Sequence, residues 1–162
     1  DGELKRTQLI VRPHPGNPTI YKKIKLAGVI ILPKEGGQFP SAGEALQLLY
    51  DTFYHAAGVV VGVNTSAIIE AIIFGKPSLA FLIPEYRKTQ VETQHFRQLL
   101  ENDVLELADT PETFLAAVKK ILNGRDSRKL KRENFVKNYI RPLGLEKSAG
   151  EAVADEIASL LK

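Results

Sequence analysis

Residues 57–80 read AGVVVGVNTSAIIEAIIFGKPSLA, and their reading decides the fold. Gly58 to Val63 is apolar without alternation, the pattern of a strand covered on both faces by helices in a parallel sheet. Three small polar residues, Asn64, Thr65 and Ser66, mark a turn. From Ser66 to about Phe74 the spacing predicts a helix, apolar except for Glu70 and therefore buried nearly all round. Gly75-Lys76-Pro77 closes that helix, and Ser78 to Ile83 returns as a strand. Strand, helix and strand in this order form a βαβ unit, which is right-handed in nearly all folds.

The flanks extend the alternation. Upstream, Thr7 to Arg12 and Gly28 to Leu32 are short strands stopped by Pro13 and Pro33. Residues 34–40 form a loop around Gly36 and Gly37, and Ser41 with Glu44 makes a capping-box pattern before Ala45, Leu49, Phe53 and Ala56 at helical spacing. Downstream, Thr89 with Glu92 is a second such pattern, opening a helix through Leu99 and Leu100. Val104 to Leu107 is a fifth strand. Thr110-Pro111-Glu112 starts a helix whose buried stripe is Phe114, Leu115, Val118, Ile121 and Leu122, with Gly124 at its end. A basic helix from about Asp126 to Tyr139 and a terminal one carrying Val153, Ile157, Leu160 and Leu161 complete a helical tail over 122–162. The expectation is one domain over 1–162. It is a Rossmann-like, three-layer α/β sandwich of about five mainly parallel strands, with the tail packed back across the sheet.

Composition narrows the class. Hydrophobic residues make up 44% and charged residues 25%, as in ordinary globular chains. No window approaches the roughly 18 apolar residues a membrane span needs, and the polar start at Asp1 to Arg6 does not resemble a signal peptide. The absence of cysteine removes disulfides and thiolate metal sites and fits a reducing, cytoplasmic setting. With no methionine and an aspartate first, the sequence is expected to be a piece of a longer chain. Of 22 basic and 19 acidic residues, nine and two lie between 119 and 141, so this block carries +7 and the remainder −4. Such a block is a solvated face or a peripheral contact with anionic lipid. Its only aromatics are Phe135 and Tyr139, which gives nucleic-acid binding little support.

In a doubly wound sheet, ligands bind beyond the carboxyl ends of the strands. Three loops occupy such ends. Asn64, Thr65 and Ser66 stand where a helix begins, and free N–H groups and the helix dipole favour phosphate there; the alternative is plain N-capping. Glu70 follows Ser66 by one turn on the same face, placed to accept the ribose hydroxyls of a bound nucleotide. A structural ion pair with Lys or Arg is its other reading. Arg12 and His14 stand in a proline-rich turn after the first strand, where an imidazole can move a proton or stabilise a leaving phosphate, or serve structure alone. After the fourth strand, Tyr86, Arg87 and Lys88 form either a base-and-phosphate contact or a solvated loop. His55 and His95 lie in helical patterns without metal-ligand spacing.

Together these motifs resemble a known group. Arg12-Pro13-His14-Pro15 after a strand is similar to the RPHP motif of CDP-glycerol glycerophosphotransferases of teichoic-acid synthesis. The 57–80 stretch resembles a block shared by those enzymes, by many GT-B glycosyltransferases and by non-hydrolysing UDP-N-acetylglucosamine 2-epimerases, in which a glutamate precedes Gly-Lys-Pro at fixed spacing. Ala57-Gly58 and Val63 to Ser66 depart from the teichoic-acid form, so the resemblance is to the superfamily. It implies the donor-binding half of a GT-B fold, with an acceptor-binding N-terminal domain as partner. The implied reaction moves a sugar or polyol-phosphate from a nucleotide-diphosphate donor. By that resemblance Asn64, Thr65 and Ser66 bind the donor phosphates, Glu70 binds its ribose, His14 serves catalysis, and no metal or other cofactor is needed; Arg12 and Arg87, at the ends of neighbouring strands, are expected from their positions to bind the donor as well. A UDP-sugar 2-epimerase-like domain and a non-catalytic binding domain are the alternatives.

Overall fold

The fold is given by a computed structural model, which describes residues 4, 7–14, 21, 23, 25, 27–32, 43–55 and 58–161. The expected loop at 34–40, the Ser41 cap and the Pro15 to Pro18 part of the first turn lie outside the described residues. The chain forms two compact units, Asp1–His55 and Ala56–Lys162.

In the first unit, β1 (Leu9–Val11) and β2 (Val29–Ile31) pair in parallel, with Leu9 opposite Val29 and Val11 opposite Ile31. Gly28 enters β2 at φ +78°, a conformation that a Cβ would strain, and its carbonyl accepts from Leu9 N–H. Helix α1 (Glu44–His55) buries Leu49 and Phe53, one turn apart on one face.

The second unit is built on three parallel strands in sequence order: β3 (Val60–Gly62), β4 (Ser78–Phe81) and β5 (Glu106–Ala108). The period-2 alternation of β4 sorts the core into two faces. Ala80 packs with Ile68 and Ile72 of α2 (Ala67–Ile73), Phe96 and Leu99 of α3 (Gln94–Glu101), and Phe135 of α5 (Lys129–Phe135). Leu79 points the other way, to Ala117 and Val118 of α4 (Pro111–Leu122). Gly62, opposite Ala80, lets α2 approach, since a Cβ there would sit 2.9 Å from both Ile68 Cδ1 and Thr65 Cγ2. The result is a small three-layer α/β arrangement. Helix α4 starts as its sequence requires, with Thr110 accepting from Thr113 N–H and Pro111 in the first turn.

Four expectations are corrected. The five strands, all parallel, pair as a two-stranded and a three-stranded sheet among the described residues, not as one; periodicity counts strands but does not choose hydrogen-bond partners. Thr89 and Glu92 do not open a helix. A 3-10 turn spans Pro84–Thr89, Thr89 Oγ1 donates to the Tyr86 carbonyl, and α3 begins after Thr93. The fifth strand starts later, at Glu106; Val104 and Leu105 precede it, buried in the cluster that holds Phe96 and Phe135. Finally, α6 (Ala149–Leu160) does not pack across the sheet: Val153, Ile157, Leu160 and Leu161 are 59%, 56%, 78% and 83% exposed. Both faces of the three-stranded sheet are already covered, by α2, α3 and α5 on one side and α4 on the other.

The basic helix is α5 continued by a π-turn at Val136–Ile140, where Phe135 and Tyr139 stack at 4.9 Å. Much of its charge is answered internally. Arg128 bonds Asp103 at 2.9 Å and also Glu106, Lys120 reaches Glu106 at 2.8 Å, Lys131 meets Asp103, and buried Arg132 holds Asp126. Asp103 accepts two of these cations from a left-handed backbone, φ 49°.

Candidate functional site

The loop from Val63 to Ser66 leaves the carboxyl end of β3, and its shape is set from across the sheet. Gln90 is 1% exposed, and its side chain makes three bonds. Nε2 donates to the Val63 carbonyl at 2.6 Å and to the Phe81 carbonyl at 2.8 Å, while Oε1 accepts from Ile83 N–H at 3.2 Å. One buried amide thereby satisfies the ends of β3 and β4, groups that would otherwise be orphaned. Gln90 was not legible as a site residue, since it lies in the polar string Thr89 to Glu92 with nothing to single it out.

Each residue of the expected phosphate loop has a distinct role. Asn64 is a latch: Nδ2 donates to the Thr89 carbonyl, and Oδ1 lies 2.8 Å from His95 Nε2. Thr65 Oγ1 accepts from Ala67 N–H at 3.3 Å, so Thr65 does the capping. The amides of Ile68, Ile69 and Glu70 are taken by the carbonyls of Thr65 and Ser66. Ser66 is exposed, already helical (φ −57°, ψ −24°), and its hydroxyl makes no capping bond. The Thr65 and Ser66 amides also find no partner among the described residues. What the loop leaves available to a ligand is thus the Ser66 hydroxyl and two backbone N–H groups, rather than the first turn of α2.

Glu70 sits one turn beyond, half-buried on α2. Burial pushes its carboxyl above the usual range. Among the described residues no cation or donor meets its side chain, so the ion-pair reading is absent there. The helix is less enclosed than its composition suggests. Ile68, Ala71 and Ile72 are buried, while Ile73 is 49% exposed, because α2 lies on one face of the sheet only.

The remaining candidates lie elsewhere. Arg87 is on the 3-10 turn with its side chain 73% exposed and pairs with Glu92 at 3.5 Å, within its own segment. Arg12 and His14 belong to the first unit. Arg12 is half-buried there, and burial lowers its guanidinium from the ordinary value. Its nearest described bond is a long one, 3.5 Å to Thr52 Oγ1, with no carboxylate among the described residues. His14 is exposed. His95, set aside in the sequence as a helical histidine without metal spacing, is the side chain that meets Asn64. Only the tertiary approach of α3 to the β3 loop brings them together.

Among the described residues no helix is long and apolar enough to cross a membrane. Comparison with protein-family models, with characterised proteins and with solved structures finds no match to this chain.

Proposed function

We propose that this chain is the donor-binding part of a transferase that moves a sugar or polyol-phosphate from a nucleotide-diphosphate to an acceptor, with the Rossmann-like half of a GT-B fold as its architecture. Glu70 carries the reading. Glu70 is a half-buried, partly desolvated carboxylate with no cation or donor among the described residues, and a ligand supplying hydroxyl donors would satisfy it. The ribose diol of a nucleotide has those donors. One turn earlier, the Ser66 hydroxyl and the Thr65 and Ser66 amides offer three donors of the kind a diphosphate accepts. Parallel strands with their loops at the carboxyl end are the usual setting for such a ligand. In this proposal Asn64 shapes the loop, Thr65 contributes through its backbone, and Arg87 adds a donor contact; Arg12 and His14, in the first unit, are proposed as donor and catalytic residues by their motif alone. Transition-state stabilisation would be electrostatic, acting on the departing diphosphate.

Titration calorimetry of the full chain with UDP, CDP, GDP and ADP tests this. At least one is expected to bind, and Glu70→Gln to weaken it by about 10- to 100-fold, the worth of hydrogen bonds to a charged acceptor. Absence of binding by all four would sink the reading.

A further inference from the structure

Helix α4 covers its face of the three-stranded sheet on a diagonal. It starts at Pro111, just beyond the carboxyl end of β5. Its last residue, Leu122, reaches the start of β3, where a Cβ on Gly58 would stand 3.2 Å from Leu122 Cδ2. Strands lie about 4.8 Å apart and packed helices about 10 Å, so one helix roofs about two strands of the three. The corner left over is at the carboxyl ends of β3 and β4. Val61, in register with Leu79 on this face, is 42% exposed there. Beside it, Phe81 with Pro111, Phe114 and Leu115 lines an open, apolar hollow of about 500 Å³.

The same unit carries a helix whose apolar face is uncovered. In α6 and at its end, Val153, Ile157, Leu160 and Leu161 recur at helical spacing and are all more than half exposed. Charge matches as well as polarity. Helix α6 bears Glu151, Asp155 and Glu156 and no cation, whereas α4 ends in Lys119 and Lys120, with Arg125 just beyond. The root of α6, however, is held on the opposite face of the sheet. Val136 and Ile140 pack against the cluster around Phe96, Arg141 then donates to the carbonyls of Leu145 and Lys147, and Lys147 pairs with Asp155. Reaching its own chain's corner would require α6 to break this clasp, and a second copy receives the helix as it stands.

We propose that two copies of this chain associate by exchanging α6, each laying that helix in the corner between α4 and β3 of the other. A two-fold exchange closes on itself and covers both apolar surfaces in each copy. The inference is independent of the donor reading, because α2, which carries Glu70, packs on the other face.

Sedimentation equilibrium of the full chain is expected to show a mass that rises with concentration to twice that of one chain. Ile157→Glu changes an exposed residue, so its melting temperature should hold while the dimer weakens at least about 100-fold, two isoleucines per dimer losing their cover. Leu115→Glu should weaken it similarly from the receiving side. The chain has no cysteine, so single cysteines can mark the contact. A mixture of Ser159→Cys and Glu112→Cys, both at exposed positions, should give covalent dimers with a short bis-maleimide, and either variant alone far fewer. A wild type that stays monomeric up to about 1 mM overturns the proposal. So does dimerisation untouched by Ile157→Glu. Ser159→Cys alone linking as well as the mixture would mean that α6 pairs with α6, and linkage within one dilute chain carrying both cysteines would mean that α6 covers its own corner; either result also overturns it.

Discussion

Glu70 and Asp103 respond to pH with opposite signs, and the difference follows from what surrounds each carboxylate. Burial raises the Glu70 pKa above its ordinary 4.5, so the folded chain holds that proton more tightly than the unfolded chain. Stability therefore falls as pH rises from the ordinary value through the folded one. Glu70→Gln should match the wild type in acid and become the more stable protein above that window. Chemical denaturation at several pH values from about 2 to about 8, which brackets the ordinary carboxylate range, would check this. A variant that loses ligand while gaining stability is the expected trade of a binding residue. For Asp103, hydrogen bonds from Lys131 and Arg128 lower the pKa below its ordinary 3.8. Its contribution is present above that value and lost as pH falls through the folded one, so Asp103→Asn should flatten the acid limb of the same curve. Gly62 gives a steric test. Its added Cβ would stand 2.9 Å from Ile68 Cδ1, and Gly62→Ala should cost about 1–3 kcal/mol in equilibrium unfolding.

At the level of elements, Gln90 joins two strand ends to the 3-10 turn. Gln90→Leu preserves apolar bulk but leaves two carbonyls and an N–H unpaired in a dry place. The expected loss is about 2–3 kcal/mol, with faster amide exchange at Ile83. The sequence reading of this region shows where local signals fail. Thr89 with Glu92 has the spacing of a capping box, yet the three bonds of Gln90 and the latch at Asn64 hold the segment in another shape. Thr110 with Pro111 was legible because nothing tertiary competes for its cap. The π-turn after α5 had no local signal, and it keeps Tyr139 stacked on buried Phe135.

For the whole molecule, the second unit depends on one centre, where Phe96 is wholly buried among α2, α3, β4 and α5. Phe96→Ala should cost about 3–5 kcal/mol, read as a lower denaturation midpoint. Around this centre, four of the nine cations in residues 119–141, Lys120, Arg128, Lys131 and Arg132, pair with Asp103, Glu106 and Asp126, so the basic block is not turned wholly to solvent. By itself the sequence determined that the chain is α/β, that its strands run parallel, and that a small polar turn followed by Glu70 stands at a strand's carboxyl end. These are consequences of periodicity and chain direction, which are local. Only the tertiary structure decided that the strands pair as two sheets, that Asn64 is held by His95, that Glu70 meets no cation among the described residues, and that the last helix keeps its apolar face uncovered. Each of these depends on which distant groups compete for a hydrogen bond, a charge or a surface, and such competition leaves no trace in the spacing of residues along the chain.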